Sequence, residues 1–116
     1  MKISLISAQK LLGLFCFFPL MVNAQSRNLA PQPGEKHFKN MRQLTTGGDN
    51  AEAYFGFDNE HITFQRRNPA EGVMCDQIFY GALPKSGKDK FEYKLVSTGK
   101  GRTTCAYLMP DHKHFL

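Results

Sequence analysis

The chain has 116 residues, 41% of them hydrophobic and 22% charged, a globular composition that excludes an intrinsically disordered polymer. Its net charge of +5 is spread along the sequence and makes no basic stripe, which argues against a nucleic-acid binder. Its 3 cysteines and 4 histidines are few enough to be weighed singly.

Residues 1–24 differ from the rest. Lys2 and Lys10 give a positive start, residues 11–22 (LLGLFCFFPLMV) are apolar, and Val22-Asn23-Ala24 is a small-residue cleavage site before Gln25. This is the three-part form of a secretory signal peptide. The apolar run of 12 residues falls short of the roughly 20 needed to cross a bilayer, so no integral membrane segment is expected after cleavage. Phe15, directly before Cys16, is too bulky for lipoprotein-type processing. The expected protein is exported, periplasmic or secreted. Removing 24 of 116 residues leaves 92, and the loss of two lysines and no acid lowers the net charge from +5 to +3.

Residues 25–37 contain Pro31, Pro33 and Gly34 without apolar periodicity and read as a linker, with His37 on its surface. Residues 38–46 supply a short strand, and Thr46-Gly47-Gly48-Asp49-Asn50 a turn. Residues 51–57 suit a strand covered on both faces. Asp58-Asn59 then turns the chain into residues 61–66, completing a hairpin. A loop carrying Asn68-Pro69 and Gly72 leads to a third strand at residues 75–82, rich in β-formers. Pro84, Gly87 and the lysines 85, 88 and 90 mark a solvated loop. The fourth strand, residues 91–96, puts Phe91, Tyr93 and Leu95 on one side. A second glycine-bearing turn at 97–104 precedes apolar runs at 105–109 and 114–116. No segment reads as a helix, so the expected class is all-β.

A version of residues 53–64 (AYFGFDNEHITF) comes round again as residues 106–116 (AYLMPDHKHFL). Ala53 aligns with Ala106, Tyr54 with Tyr107, Phe55 with Leu108, Asp58 with Asp111, His61 with His114 and Ile62 with Phe115. Each copy is an apolar run, a turn built on Asp and a second apolar run, the mark of a repeat architecture. Four antiparallel strands followed by the start of another set is the sequence form of a β-propeller blade. The expected fold is therefore a partial β-propeller, one four-stranded blade plus the start of a second, with residues 38–116 as the incomplete repeat region. Phe55, Phe57, Ile62, Phe64, Ile78 and Phe79 would each gain roughly 1.5–3 kcal/mol by full burial. A lone blade realises part of that and leaves two sheet edges open. Closed propellers typically need about 4–8 blades, so the sequence is expected to be the N-terminal part of a longer ring.

The stretches LTTGGDNAEAYFGFDNEHITFQ, CDQIFY and LVSTGKGRTTCAYLMPD resemble the TolB-like, WD40-like β-propeller repeats of exported bacterial proteins, over residues 41–116. Pro110-Asp111 matches the Pro-Asp-Gly hairpin of those repeats, with His112 in place of the glycine; the first copy has Phe57-Asp58-Asn59. Asn takes the left-handed turn conformation more readily than His. The repeat-motif positions are thus Ala53, Tyr54, Asp58, Ala106, Tyr107, Pro110 and Asp111. The resemblance implies that residues 38–46 pair with the last blade and close the ring.

Catalytic signatures are weak. No G-x-S-x-G elbow occurs. Ser97 to Lys100 matches S-x-x-K, but in a turn and not at the start of a helix. Residues 99–104 (GKGRTT) lack the earlier Gly and the Ser or Thr directly after Lys that a phosphate loop requires. His112 and His114, two apart beside Asp111, offer a metal-binding pattern, although His114 simply sits where His61 sits in the first copy. No catalytic, cofactor-binding or metal residue is assigned. Cys75 and Cys105 either form a disulfide or are two small buried residues. The expected function is a non-catalytic propeller-repeat module that binds or scaffolds an unknown protein partner in the periplasm or envelope. Two other readings stand beside it. One is the N-terminal propeller of a prolyl-oligopeptidase-like serine peptidase, implied by the resemblance. The other is a small secreted protein stapled by Cys75 and Cys105.

Overall fold

Runs of β-forming residues between Gly- and Pro-bearing turns build the centre of the fold. The computed structural model describes residues 22–116; residues 1–21, which hold most of the expected leader, lie outside them. The strands are β1 (Val22–Gln25), β2 (Arg27–Asn28), β3 (Arg42–Gln43), β4 (Asp49–Phe55), β5 (His61–Asn68), β6 (Val73–Ala82) and β7 (Lys90–Leu95). The described chain is all-β, with two antiparallel sheets, neither of them closed. The main sheet has the order β1-β7-β6-β5-β4, and β2 and β3 form a separate ribbon. From β4 to β7 the chain runs up and down through neighbouring strands, and β1 returns to the far edge, pairing Val22 with Tyr93 and Gln25 with Lys90.

The N-terminal part of the expected layout needs correcting. Residues 25–28 are not spacer. Gln25 ends β1, Ser26 is buried with its hydroxyl donating to the Asp89 carbonyl at 2.6 Å, and Arg27–Asn28 pairs with Arg42–Gln43. Of the strand expected at 38–46, only Arg42–Gln43 forms a ladder. Arg27 Nε donates to Gln43 Oε1 at 2.7 Å, and the Arg42 guanidinium binds the Pro84 carbonyl. The loop expected at 67–74 is also shorter. Pro69–Glu71 closes a single 3-10 turn, and Gly72 (φ 81°) donates its amide to the Pro69 carbonyl at 3.1 Å. That reversal, with φ in the region only glycine enters freely, lets β6 begin at Val73.

Alternation along β5, β6 and β7 sends one set of side chains to each face of the sheet. On one face Ile62, Phe64, Phe79, Phe91 and Tyr93 join Ala24 of β1 as the hydrophobic core, with Leu44, Val73 and Leu83 packed against it. Tyr93 meets Phe64 and Phe79 edge-on, with ring centroids 5.2 and 5.6 Å apart. Such offset and edge contacts add roughly 0.5–1.5 kcal/mol per pair to the burial itself. Gly81 makes room for this cluster, because a Cβ there would strike the Glu92 carbonyl and the Phe91 ring.

The C-terminal residues cover the other face. Thr63 Oγ1 donates to the Ala106 carbonyl at 2.6 Å, the Thr103 amide donates to the Asp76 carbonyl at 2.9 Å, and Tyr80 meets the Phe115 ring edge-on at 5.5 Å. Leu108, only 3% exposed, is buried beneath the second turn. Four of the six residues expected to seek burial do so. Phe55 and Phe57 do not, at 65% and 72% exposure, because Phe55 ends the outermost described strand and Phe57 lies in the turn beyond it.

Candidate functional site

The two repeat copies fold into the same turn, hydrogen bond for hydrogen bond. In the first, the Gly56 amide donates to the His61 carbonyl at 2.8 Å and the Asn59 amide to the Gly56 carbonyl at 3.0 Å. In the second, Met109 donates to His114 at 2.8 Å and His112 to Met109 at 2.9 Å. Asp58 Oδ1 accepts the amides of Glu60 (2.9 Å) and His61 (3.1 Å); Asp111 Oδ1 accepts those of Lys113 (3.0 Å) and His114 (3.1 Å). Each aspartate turns Oδ2 to the Nδ1 of the histidine three residues on, at 2.6 Å in both copies. The histidine hydrogen bond and the turn amides hold both carboxyls down at about 2. Asn59 and His112 occupy the same left-handed position, each at φ 57°. The second copy closes through paired backbone bonds between Tyr107 and Leu116 and a bridge between Leu108 and Phe115.

The copies also touch. The Tyr54 and Tyr107 rings lie 4.2 Å apart, and His112 leaves its own turn to place Nδ1 3.0 Å from Asp58 Oδ2. Asp58, His61 and His112 thereby converge, with one ligand atom from each inside a 4.8 Å span. The His61 ring stacks on Tyr80, 5.1 Å between centroids and 10° between planes, and Lys94 Nζ stands 5.5 Å from the Tyr80 ring. The sequence pattern pairs His112 with His114 beside Asp111. The structure separates them: His114 stays on Asp111 and His112 crosses to Asp58. The shift of 53 residues could have suggested the crossing only to a reader who knew that the second turn packs over the first.

The remaining motif positions divide by location. Ala106 is buried beside Thr63, whereas Ala53, Tyr107 and Pro110 face outward. Tyr54 donates its hydroxyl to Glu52, which raises its pKa, and Glu52 itself (φ 46°) lies at a register shift between Ala51 and Tyr54. Cys75 is half-buried and Cys105 exposed, each with a free thiol, so they are not a buried pair. Ser97 is held as a structural link: its hydroxyl donates to Gln77 Oε1 at 2.7 Å and accepts the Ile78 amide at 3.0 Å. Gln77 also accepts the Gly99 amide (3.1 Å) and donates to the Gly101 carbonyl (2.7 Å), fastening the turn that the sequence could read only as glycine-bearing.

Two surfaces thus have the means to act: the Asp58, His61 and His112 junction, and the outer edge of β4 with Phe55 and Phe57. No family model matches the chain, and neither a curated protein nor a solved structure matches it.

Proposed function

We propose that this chain is an exported, non-catalytic β-repeat module of the propeller type, whose work is to bind or scaffold another protein in the periplasm or envelope. The observation that carries the reading is the outer edge of the main sheet. Among the described residues β4 hydrogen-bonds to β5 alone, and Phe55 at its end and Phe57 just beyond it stand exposed. The strand has 7 residues with a register shift between Ala51 and Tyr54, so the stretch open to another strand is its Tyr54–Phe55 end, beyond the shift. Added strands bind through main-chain hydrogen bonds, with side-chain contacts setting the choice of partner. The repeated Asp turns support the propeller form, since each recurs at the same point of a hairpin. The positive start, apolar run and small-residue site of the leader support export.

The reading is tested by placing a photo-crosslinking amino acid at Phe57 in the native host, with a second probe at Lys88 in the loop between β6 and β7. Crosslinking of a defined protein from Phe57 and not from Lys88, abolished by Phe55→Lys, is the expected result. Identical patterns from both probes, or no protein captured from Phe57, would overturn it.

A further inference from the structure

We infer that Asp58, His61 and His112 form a binding site for a divalent first-row transition ion, of the zinc type, at the junction between the two repeat copies. The inference is independent of the proposed protein-binding role.

The second turn serves as an internal control. An Asp with a His three residues on, bonded at 2.6 Å, occurs in both copies, so the Asp58 and His61 pair alone is explained as turn chemistry. His112 has no such explanation. Its counterpart is Asn59, and both sit at φ 57°, a conformation Asn accepts more easily than His. A turn of this shape gains nothing locally from an imidazole at that place. What the imidazole does is reach the other turn, where its Nδ1 comes to 3.0 Å from Asp58 Oδ2.

The donor set suits the ion. Two imidazole nitrogens and one carboxylate oxygen match zinc and its neighbours, whereas calcium and magnesium prefer oxygen alone. Asp58 uses Oδ1 on two backbone amides, which fixes the carboxylate and leaves Oδ2 to face both imidazoles. Stacking on Tyr80 fixes the plane of His61. Zinc ligands about 2.0–2.2 Å from the metal stand roughly 3.3 Å from one another in a tetrahedron, so each carboxylate contact has to open by less than about 1 Å. With the ion bound through Nδ1, each imidazole is the neutral tautomer that carries its proton on Nε2. Three protein ligands leave a coordination position open, and the site lies at the surface, with His112 41% exposed.

The test is a titration of the untagged full chain with Zn(II) at neutral pH, in competition with a chromophoric chelator, alongside Co(II), whose visible bands report coordination. The expected result is saturation at a single ion per chain. His112→Asn, which restores the residue of the first turn, and His61→Gln should each weaken binding more than about tenfold. His114→Gln breaks the control pair and should leave affinity within about twofold. Far-UV circular dichroism checks folding, and His112→Gly, suited to a positive φ, replaces His112→Asn if that variant misfolds. Absence of saturable binding, binding unchanged by loss of His112, or an equal loss in His114→Gln each overturns the inference.

Discussion

Arg66 shows how much of this sheet depends on single polar side chains. It sits 1% exposed on the core face of β5, where an aliphatic residue would cost nothing to desolvate. Its guanidinium is compensated on three sides: it donates to the Gly47 carbonyl (2.9 Å), to Asn50 Oδ1 (3.0 Å) and to both oxygens of Glu71 (2.9 Å each), and it lies 5.8 Å from the Tyr93 ring. It therefore ties the glycine turn before β4 to the 3-10 turn after β5. Gly48 belongs to the same knot, at φ 69°, where a Cβ would strike the Arg67 carbonyl. Glu71→Ala leaves the buried charge short of its anionic partner. Because Glu71 is itself 38% exposed, the expected cost is near the low end for breaking a buried pair, about 3 kcal/mol, read as a lower midpoint in urea unfolding. A change below about 0.5 kcal/mol would mean that water replaces the carboxylate freely.

At the scale of elements, the hinge of the fold is the docking of residues 103–116 onto the face of the sheet opposite the aromatic core. The tie is Thr63, a β-branched residue suited to a strand that also carries a buried hydroxyl to the Ala106 carbonyl. Thr63→Val keeps the shape and removes the donor, leaving that carbonyl unpaired at a cost of about 1–3 kcal/mol. The loss should be local: amide exchange at Tyr107, Met109 and Leu116 should quicken while that of β5 and β6 holds. Uniform acceleration would show instead that the second turn and the sheet open as one unit. The same elements show what the sequence could disclose. β5, β6 and β7 were legible because β-forming residues alternate between clear turn signals, and the two Asp turns because their residues recur in order. The boundary of β6 was not, since it depends on Pro69–Glu71 closing tightly enough to return the chain at Val73. The pairing of β2 with β3 and the contact of His112 with Asp58 were hidden for a common reason. Local pattern shows which face a residue occupies, but not which distant segment will lie against that face.

For the whole molecule, the decisive strand is the first. β1 is the edge strand that covers β7, and Ala24, 6% exposed, packs into the aromatic core beneath Phe91, with which it is paired. The cleavage site expected after Ala24 falls inside this strand, so processing there would remove three of its 4 residues. The consequence is calculable in kind. β7 would lose the ladder bonds it makes to β1, each worth about 0.5–1.5 kcal/mol, and the Phe91 side of the core would lose its cover. β7 would then become the outer strand at the opposite end of the sheet from β4, replacing the 4-residue edge of β1 with a longer edge of 6 residues. A chain beginning at Gln25 should therefore be less stable than one beginning at Val22, by roughly 1–3 kcal/mol in denaturant unfolding, and should associate more strongly in sedimentation. Equal stability and equal sedimentation would show that β1 is dispensable, and that the sheet from β4 to β7 holds its core unaided. A difference confined to the N-terminally shortened chain, and reversed when a partner occupies the freed edge, would make the processed protein's open strand the place where assembly begins.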